Sequence, residues 1–261
     1  MKSLLSVDWD YFFAEPWGME SQDRTGSRQH LGLYDWGHKE APFFADFVWT
    51  VRAAGFQGMG LELPTTDGLE AGFWGRVRIA EDSQLYLADS HAMASSEEVL
   101  EGIDEVWNYD AHHDCGYSPE RDMADLRQGI VQCGNWAMYA FLAHGIRVEQ
   151  RYPTWKTRAL EVDHPPGWVN ARHASWNEIT PEFDRVFVCR SSCWVPPWCD
   201  EAFARFVDAC PAGRGIPAKV YEGPTDPTVG RQLDAAQVGS FVAQARQARA
   251  EAKEAGYDIV G

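Results

Sequence analysis

An apolar run that gives way to a burst of metal-ligand side chains constrains this chain more than any other stretch: Val106-Trp107-Asn108-Tyr109-Asp110-Ala111-His112-His113-Asp114-Cys115-Gly116. Its first residues have the aromatic and β-branched character of a strand. Asp110, His112 and Asp114 follow at i, i+2 and i+4. Side chains alternate along a strand, so this spacing predicts all three on one side of a strand's carboxyl end. Two carboxylates and an imidazole converging there suit a hard cation better than a core. A polar turn behind a strand is the plain alternative.

Two further strand ends carry similar groups. Residues 3–9 read as a buried strand, with Asp8 and Asp10 at i and i+2 at its end. Residues 76–88 predict a hairpin, 76–79 and 84–88 around a turn near Glu81 and Asp82, running into Asp89, Ser90 and His91. In a parallel sheet the strand carboxyl ends gather along one edge, so Asp8, Asp10, His91, Asp110, His112 and Asp114 can converge. Six ligands, four of them carboxylates, exceed the needs of one structural zinc. They suit two divalent cations that share carboxylates, hold a hydroxide between them and polarise the carbon it attacks. Without cations the four negative charges would repel one another.

The rest of the chain alternates strand and helix patterns. Residues 42–54 predict a helix with Phe43, Phe44, Phe47 and Val51 on one face. Ser95 with Glu98 three residues later is a capping-box signal for a helix to about Leu100. A buried helix is expected over 134–144, ended by Gly145, then a strand over 146–152. Residues 153–182 are mixed in pattern. A strand over 184–190, a loop over 191–197, a helix over 200–210 and a surface-covering helix over 234–256 follow. With no linker and no internal repeat, this predicts one α/β domain over residues 1–261. Its expected architecture is a three-layer α/β/α sandwich with a mostly parallel central sheet.

Net charge is −16. A nucleic-acid binder would need a basic footprint, so that class is disfavoured, whereas cationic substrates and metal ions suit the balance. The first apolar residues are interrupted at once by Asp8 and Asp10, so no signal peptide is read, and no run reaches membrane-spanning length. A cytoplasmic location is expected, with no membrane partner. The six cysteines then read as reduced thiols. Cys189, Cys193 and Cys199 lack the paired spacing of a zinc site. Twelve tryptophans are a heavy load. Trp17, Trp36, Trp155, Trp194 and Trp198 fall in loop-like stretches where they could wall a cleft. Residues 15–40 form a long loop-like excursion behind the first strand, the kind that frames a site. Its last seven residues crowd Tyr34, Asp35, Trp36, His38, Lys39 and Glu40 together.

Asp-Ala-His-x-Asp at 110–114, preceded by Asp-Ser-His at 89–91, resembles the arginase/agmatinase (ureohydrolase) family. That family is an α/β/α sandwich with a binuclear manganese centre. Its Asp-x-Asp strand motif is similar to Asp8-Trp9-Asp10, but in arginases that strand comes late in the chain and here it comes first, as if the order were permuted. The order, with Tyr34-Asp35-Trp36-Gly37-His38 behind the first motif, resembles the peptide arginases, which hydrolyse arginine side chains in peptides to ornithine and urea. The motifs cover about a fifth of the chain.

The resemblance implies two Mn(2+) per chain. His91, Asp110, Asp114 and Asp8 would hold one, and Asp110, His112, Asp8 and Asp10 the other, with Asp8 and Asp110 bridging. His113 alternates to the opposite side. The family also uses a proton-shuttling histidine and an acid that holds the guanidinium. Gly134-Asn135-Trp136 is similar to the family's Gly-Asn segment, but the histidine expected beyond it is absent. His38 and Glu40 are the catalytic candidates, with His173 and Glu178 behind them. Trp36, Asn135 and Trp194 are the candidate substrate contacts. An arginine-containing peptide or a small guanidino compound is the expected substrate, and a homo-oligomer is left open. The alternatives are a small-molecule ureohydrolase, a single-zinc deacetylase of the related superfamily, and a binding protein that kept the fold.

Overall fold

The computed structural model describes residues 1–12, 40–58, 63, 65, 66, 68, 70–156, 159–175, 177–214 and 216–254. Seven strands, β1 (Ser3–Asp8), β2 (Arg78–Ala88), β3 (Glu105–Tyr109), β4 (Arg147–Tyr152), β5 (Asn170–His173), β6 (Glu182–Cys189) and β7 (Lys219–Tyr221), form one sheet. Its order is β5-β4-β3-β1-β6-β2-β7, and every pairing is parallel. The helices are α1 (Pro42–Ala45), α2 (Phe47–Gly58), α3 (Glu70–Phe73), α4 (Glu97–Leu100), α5 (Pro119–Arg127), α6 (Trp136–His144), α7 (Ala159–Val162), α8 (Asp200–Asp208) and α9 (Ala235–Glu254).

Central strands of a parallel sheet are covered on both faces, and their sequences read as apolar throughout. All six residues of β1 and all five of β3 are buried. Leu5 and Val7 of β1, with Trp107, Tyr109, Val186 and Val188, face a core that contains Phe73, Phe203 and Phe206 of α3 and α8. Leu4, Val106, Val148 and Phe187 face the other core, with Val99, Leu100, Trp136, Ala137 and Ala140 of α4 and α6. The expected three-layer α/β/α sandwich is the observed architecture. Among the described residues no helix is long and apolar enough to cross a membrane.

Several local expectations are corrected. Residues 76–88 are not a hairpin. Residues 78–88 form the single strand β2, parallel to β6 throughout, with a register shift between Ile79 and Gln84. Glu81 and Asp82 bring no glycine, proline or asparagine to close a tight turn, so the extra residues are taken up as a bulge. The segment 42–54 is broken at Asp46 into α1 and α2. The buried stripe, Ala45, Val48, Trp49, Arg52 and Ala53, keeps one helical period across the break and lies on the face away from Phe43 and Phe47, which are exposed. Ser96 rather than Ser95 precedes α4. Ser95 lies in a 3-10 turn and its hydroxyl donates to the Ala92 carbonyl. Helix α6 is buried along one face only, since Leu142 is exposed. Gly145 ends it at φ 69°, as expected. Helix α9 covers α2, with Val238 and Val242 against Ala53 and Ala54.

The loops behind β2 and β6 are tied together by a buried charge network. Arg190, 1% exposed, donates through Nε to Asp89 Oδ1 at 2.9 Å and through Nη1 to Asp200 Oδ2 at 3.3 Å and the Val229 carbonyl at 2.7 Å. The other Asp89 oxygen accepts from Ser192 Oγ at 2.5 Å and from the Thr225 backbone and hydroxyl at 2.8 and 2.7 Å. Arg231 closes the network on both oxygens of Asp200, at 2.6 and 2.9 Å. Removing one partner would leave a buried charge uncompensated. Arg190→Met is therefore expected to lower unfolding stability by about 3–5 kcal/mol in urea denaturation; a loss below about 1 kcal/mol would show that the network contributes little.

Candidate metal centre

Asp8, Cys189 and Ala88 stand level with one another at the carboxyl ends of neighbouring strands, and Asp110 follows the last residue of β3 beside them. The ligand side chains start from this line. The expectation that they converge by strand alternation is corrected: β1 ends at Asp8 and β3 at Tyr109, and the partners beyond come from turns. In both motifs the first carboxylate accepts the backbone N–H two residues on, Asp10 N to Asp8 Oδ1 at 3.1 Å and His112 N to Asp110 Oδ1 at 2.7 Å. This is the Asx turn, in which an aspartate side chain replaces a backbone acceptor. The two turns lock together, because Ala111 N donates to Asp10 Oδ1 at 3.2 Å. Asp114 is brought back by a left-handed backbone, φ 50°, which is uncommon for a non-glycine residue and clusters at functional sites.

The result is two overlapping sets of potential ligands. Asp8, His91 and Asp110 form one, and Asp10, Asp110 and His112 the other, with Asp110 in both. His91 Nδ1 lies 3.1 Å from Asp8 Oδ2, 3.2 Å from Asp110 Oδ2 and 3.0 Å from Asp114 Oδ2, so Asp114 belongs with the first set. Although His91 is 1% exposed, this nitrogen makes no hydrogen bond. Its other nitrogen is held by Ser6 Oγ at 2.7 Å. An imidazole fixed through Nε2, with Nδ1 facing three carboxylate oxygens, could ligate a metal ion there. In the second set His112 Nδ1 lies 2.9 Å from Asp10 Oδ2, and its side chain is 42% exposed.

The polar residues beneath this centre were missed in the sequence. Ser6, Asn108 and Gln150 are aligned in register across β1, β3 and β4. Each steadies a ligand. Ser6 holds His91, Asn108 Nδ2 donates to Asp110 Oδ2 at 3.2 Å, and Gln150 Nε2 donates to the carbonyls of Asp110 and His112 at 3.1 and 2.9 Å. Ser6 and Asn108 lie two residues before Asp8 and Asp110, a polar period-two signal inside apolar strands that could have found them. Ser191 Oγ donates to Asp8 Oδ2 at 2.6 Å, and Trp136 Nε1 to Asp114 Oδ2 at 3.0 Å. The Lys156 ammonium, 8% exposed, donates to the Ala111 carbonyl between the two motif ligands. No local pattern marks these three. His113 accepts from Cys115 N at 2.9 Å and stacks on Tyr117, a structural role.

A cavity of about 960 Å³ opens over the centre. Asp8, Asp10, His112 and Asp114 form its floor, while Glu40, Asn135 and Trp194 line its sides, as do Tyr117 and Arg121. Glu40 Oε2 accepts from Ser90 Oγ at 2.7 Å, while Oε1 is buried without a partner, as is Asn135 Nδ2. His38, Trp36 and Trp17 lie outside the described residues. His173 and Glu178 do not belong to the site. His173 Nδ1 lies 3.3 Å from the Pro153 carbonyl and Glu178 pairs with Arg151 and Arg172. Trp155 donates to the Tyr11 carbonyl and Trp198 packs edge-on against Trp49, so neither walls the cavity. The six cysteines are free thiols, and among the described residues none joins a metal-type cluster.

Electrostatics bear out a site short of positive charge. Burial pushes the Asp110 carboxyl well above its usual range, and Asp114, Asp10 and Asp8 push it further. Asp8 is raised by burial and by Asp10. Burial raises Glu40 to about 7. For His91, burial alone would favour the neutral ring, but the surrounding carboxylates of Asp110, Asp114 and Asp8 outweigh it and hold the pKa high. For His112 burial is likewise outweighed, chiefly by Asp10, and the value rises to about 10. All five groups bind protons more tightly folded than unfolded. Their contribution to stability is thus full below the unfolded values, about 4 for the carboxyls and 6.5 for the imidazoles, and is lost as pH rises through the folded ones. A divalent cation bound there would replace those protons. The difference in melting temperature between manganese-treated and chelator-treated protein is therefore expected to widen from pH 5 to pH 8; a constant or shrinking difference would contradict the site's electrostatics.

Comparison with protein-family models, with curated proteins and with solved structures gives no match, so the reading of this centre rests on its own geometry.

Proposed function

We propose that the chain is a manganese-dependent hydrolase of guanidino groups that converts arginine within a peptide to ornithine and urea. The observation that carries the metal reading is the buried His91 Nδ1, ringed by three carboxylate oxygens at 3.0–3.2 Å and hydrogen-bonded to none. Hard oxygen donors with two imidazoles fit manganese, and the sharing of Asp110 fits a pair of ions. Such a pair, when bound, supplies a water of lowered pKa and an electrophilic field over the substrate carbon.

The chain's own residues bind and orient. A guanidinium is a flat cation with N–H donors around its edge. Glu40 Oε1, on the side of the cavity, offers a buried acceptor without a partner for one of those donors. Glu40, with a pKa raised to about 7, can also carry a proton to the departing amine near neutral pH. The overall change is balanced: guanidinium and water give urea and the protonated ornithine amine. A cavity of about 960 Å³ with Trp194, Tyr117 and Arg121 on its walls suits an arginine presented on a longer chain rather than the free amino acid.

Asp110→Asn and His112→Ala are each expected to lower urea release from an arginine-containing peptide by about 10²–10³-fold or more. Asp110→Asn should also abolish manganese binding at both positions, and His112→Ala at one. Full manganese content with unchanged turnover in either variant would overturn the site assignment. Release from free arginine or agmatine but not from peptides would move the reading to a small-molecule ureohydrolase. One zinc per chain with no urea from any of them would move it to a deacetylase.

A further inference from the structure

We propose that the two cation positions are unequal and fill in order, the buried one first, and that Lys156 sets the gap as a fixed positive charge beside the second. This rests on the two-cation reading above. The inner position, framed by Asp8, His91, Asp110 and Asp114, draws on three carboxylates and an imidazole that is 1% exposed. Its carboxylates are held by donors from Ser191, Trp136 and Asn108 and its imidazole by the Ser6 hydroxyl at Nε2, all neutral groups. A cation there meets preset oxygens and no opposing charge.

The outer position has Asp10, Asp110 and His112, and its imidazole is 42% exposed toward the cavity. Lys156 sits behind it. Its ammonium is 8% exposed, donates to the Ala111 carbonyl between Asp110 and His112, and lies 5.8 Å from the Tyr152 ring centre. Among the described residues it makes no ion pair. A buried ammonium without its own carboxylate is costly unless a negative field compensates it, and the aspartate cluster is that field. The charges then decide the order. Four carboxylates against one divalent ion and the ammonium leave a single negative charge to attract the second ion; without the ammonium they would leave two. Lys156 does not line the cavity, so it acts on the metal and not on the substrate. The consequence is a centre that keeps one ion through purification and takes the second only when manganese is supplied.

The test is a manganese titration of the chelator-stripped full chain by calorimetry, with the parent, Lys156→Gln and Lys156→Arg. Gln keeps a donor for the Ala111 carbonyl without the charge; Arg keeps the charge. The parent is expected to bind two manganese ions with Kd values at least about tenfold apart. Lys156→Gln should leave the tighter Kd within about threefold and tighten the weaker by about tenfold, and Lys156→Arg should keep the parent's gap. Asp10→Asn should lose the weaker ion and keep the tighter. Two equal sites in the parent, or an unchanged or weakened second Kd in folded Lys156→Gln, would overturn the proposal alone. Loss of the tighter ion in Asp10→Asn would overturn it even if Lys156→Gln does not fold. A parent that binds no manganese would overturn the two-cation reading and this proposal with it.

Discussion

Like-charge repulsion among Asp8, Asp10, Asp110 and Asp114 is the constraint to which the rest of the structure answers. Four carboxylates gathered at the ends of two adjacent buried strands, three of them within 3.2 Å of one imidazole nitrogen, are unfavourable unless cations or protons offset them. The fold supplies partial relief through N–H and O–H donors: two Asx turns, the Ser191 hydroxyl, the Trp136 indole and the Asn108 amide. These orient the oxygens but cannot neutralise them. The remaining negative charge is what a bound cation would offset.

Rigidity around the centre comes from two kinds of support. Beneath it, the row of Ser6, Asn108 and Gln150 continues the sheet's register into the ligand shell, so strand pairing itself sets ligand positions. Beside it, the Arg190, Asp89, Asp200 and Arg231 network pins the loops that carry His91 and Ser191. Sites held within fractions of an ångström by supporting shells are the ones that can act on a substrate without reorganising. Positive φ at Asp114 and Ser191, 50° and 52°, marks where backbone strain is accepted to aim those two side chains.

Much of this was legible in the chain. The residues that cluster follow from Asp, His and Asp at fixed spacing behind apolar runs, and the α/β/α sandwich from the alternation of strand and helix patterns. The means of convergence was not. A period-two argument placed the ligands on strands, whereas turns closed by Asp8 and Asp110 do the work. Partners such as Ser191, 183 residues from Asp8, leave no local trace because only the tertiary fold makes them neighbours. The false hairpin at 76–88 has the same origin: two strand-like runs about an acidic pair look like a turn until the parallel partner β6 is known. Glu40 was singled out from the crowding at the end of the loop-like excursion and does reach the cavity, while His38 and Trp36 from that stretch lie outside the described residues.

The proposed function turns on two cations sharing Asp110, the carboxylate common to both candidate ligand sets. Anomalous diffraction at the manganese absorption edge, from crystals grown in saturating manganese, tests it most directly. Two peaks about 3.5–4 Å apart are expected, one on each side of the Asp110 carboxylate. A single peak, or peaks away from Asp110, would contradict it.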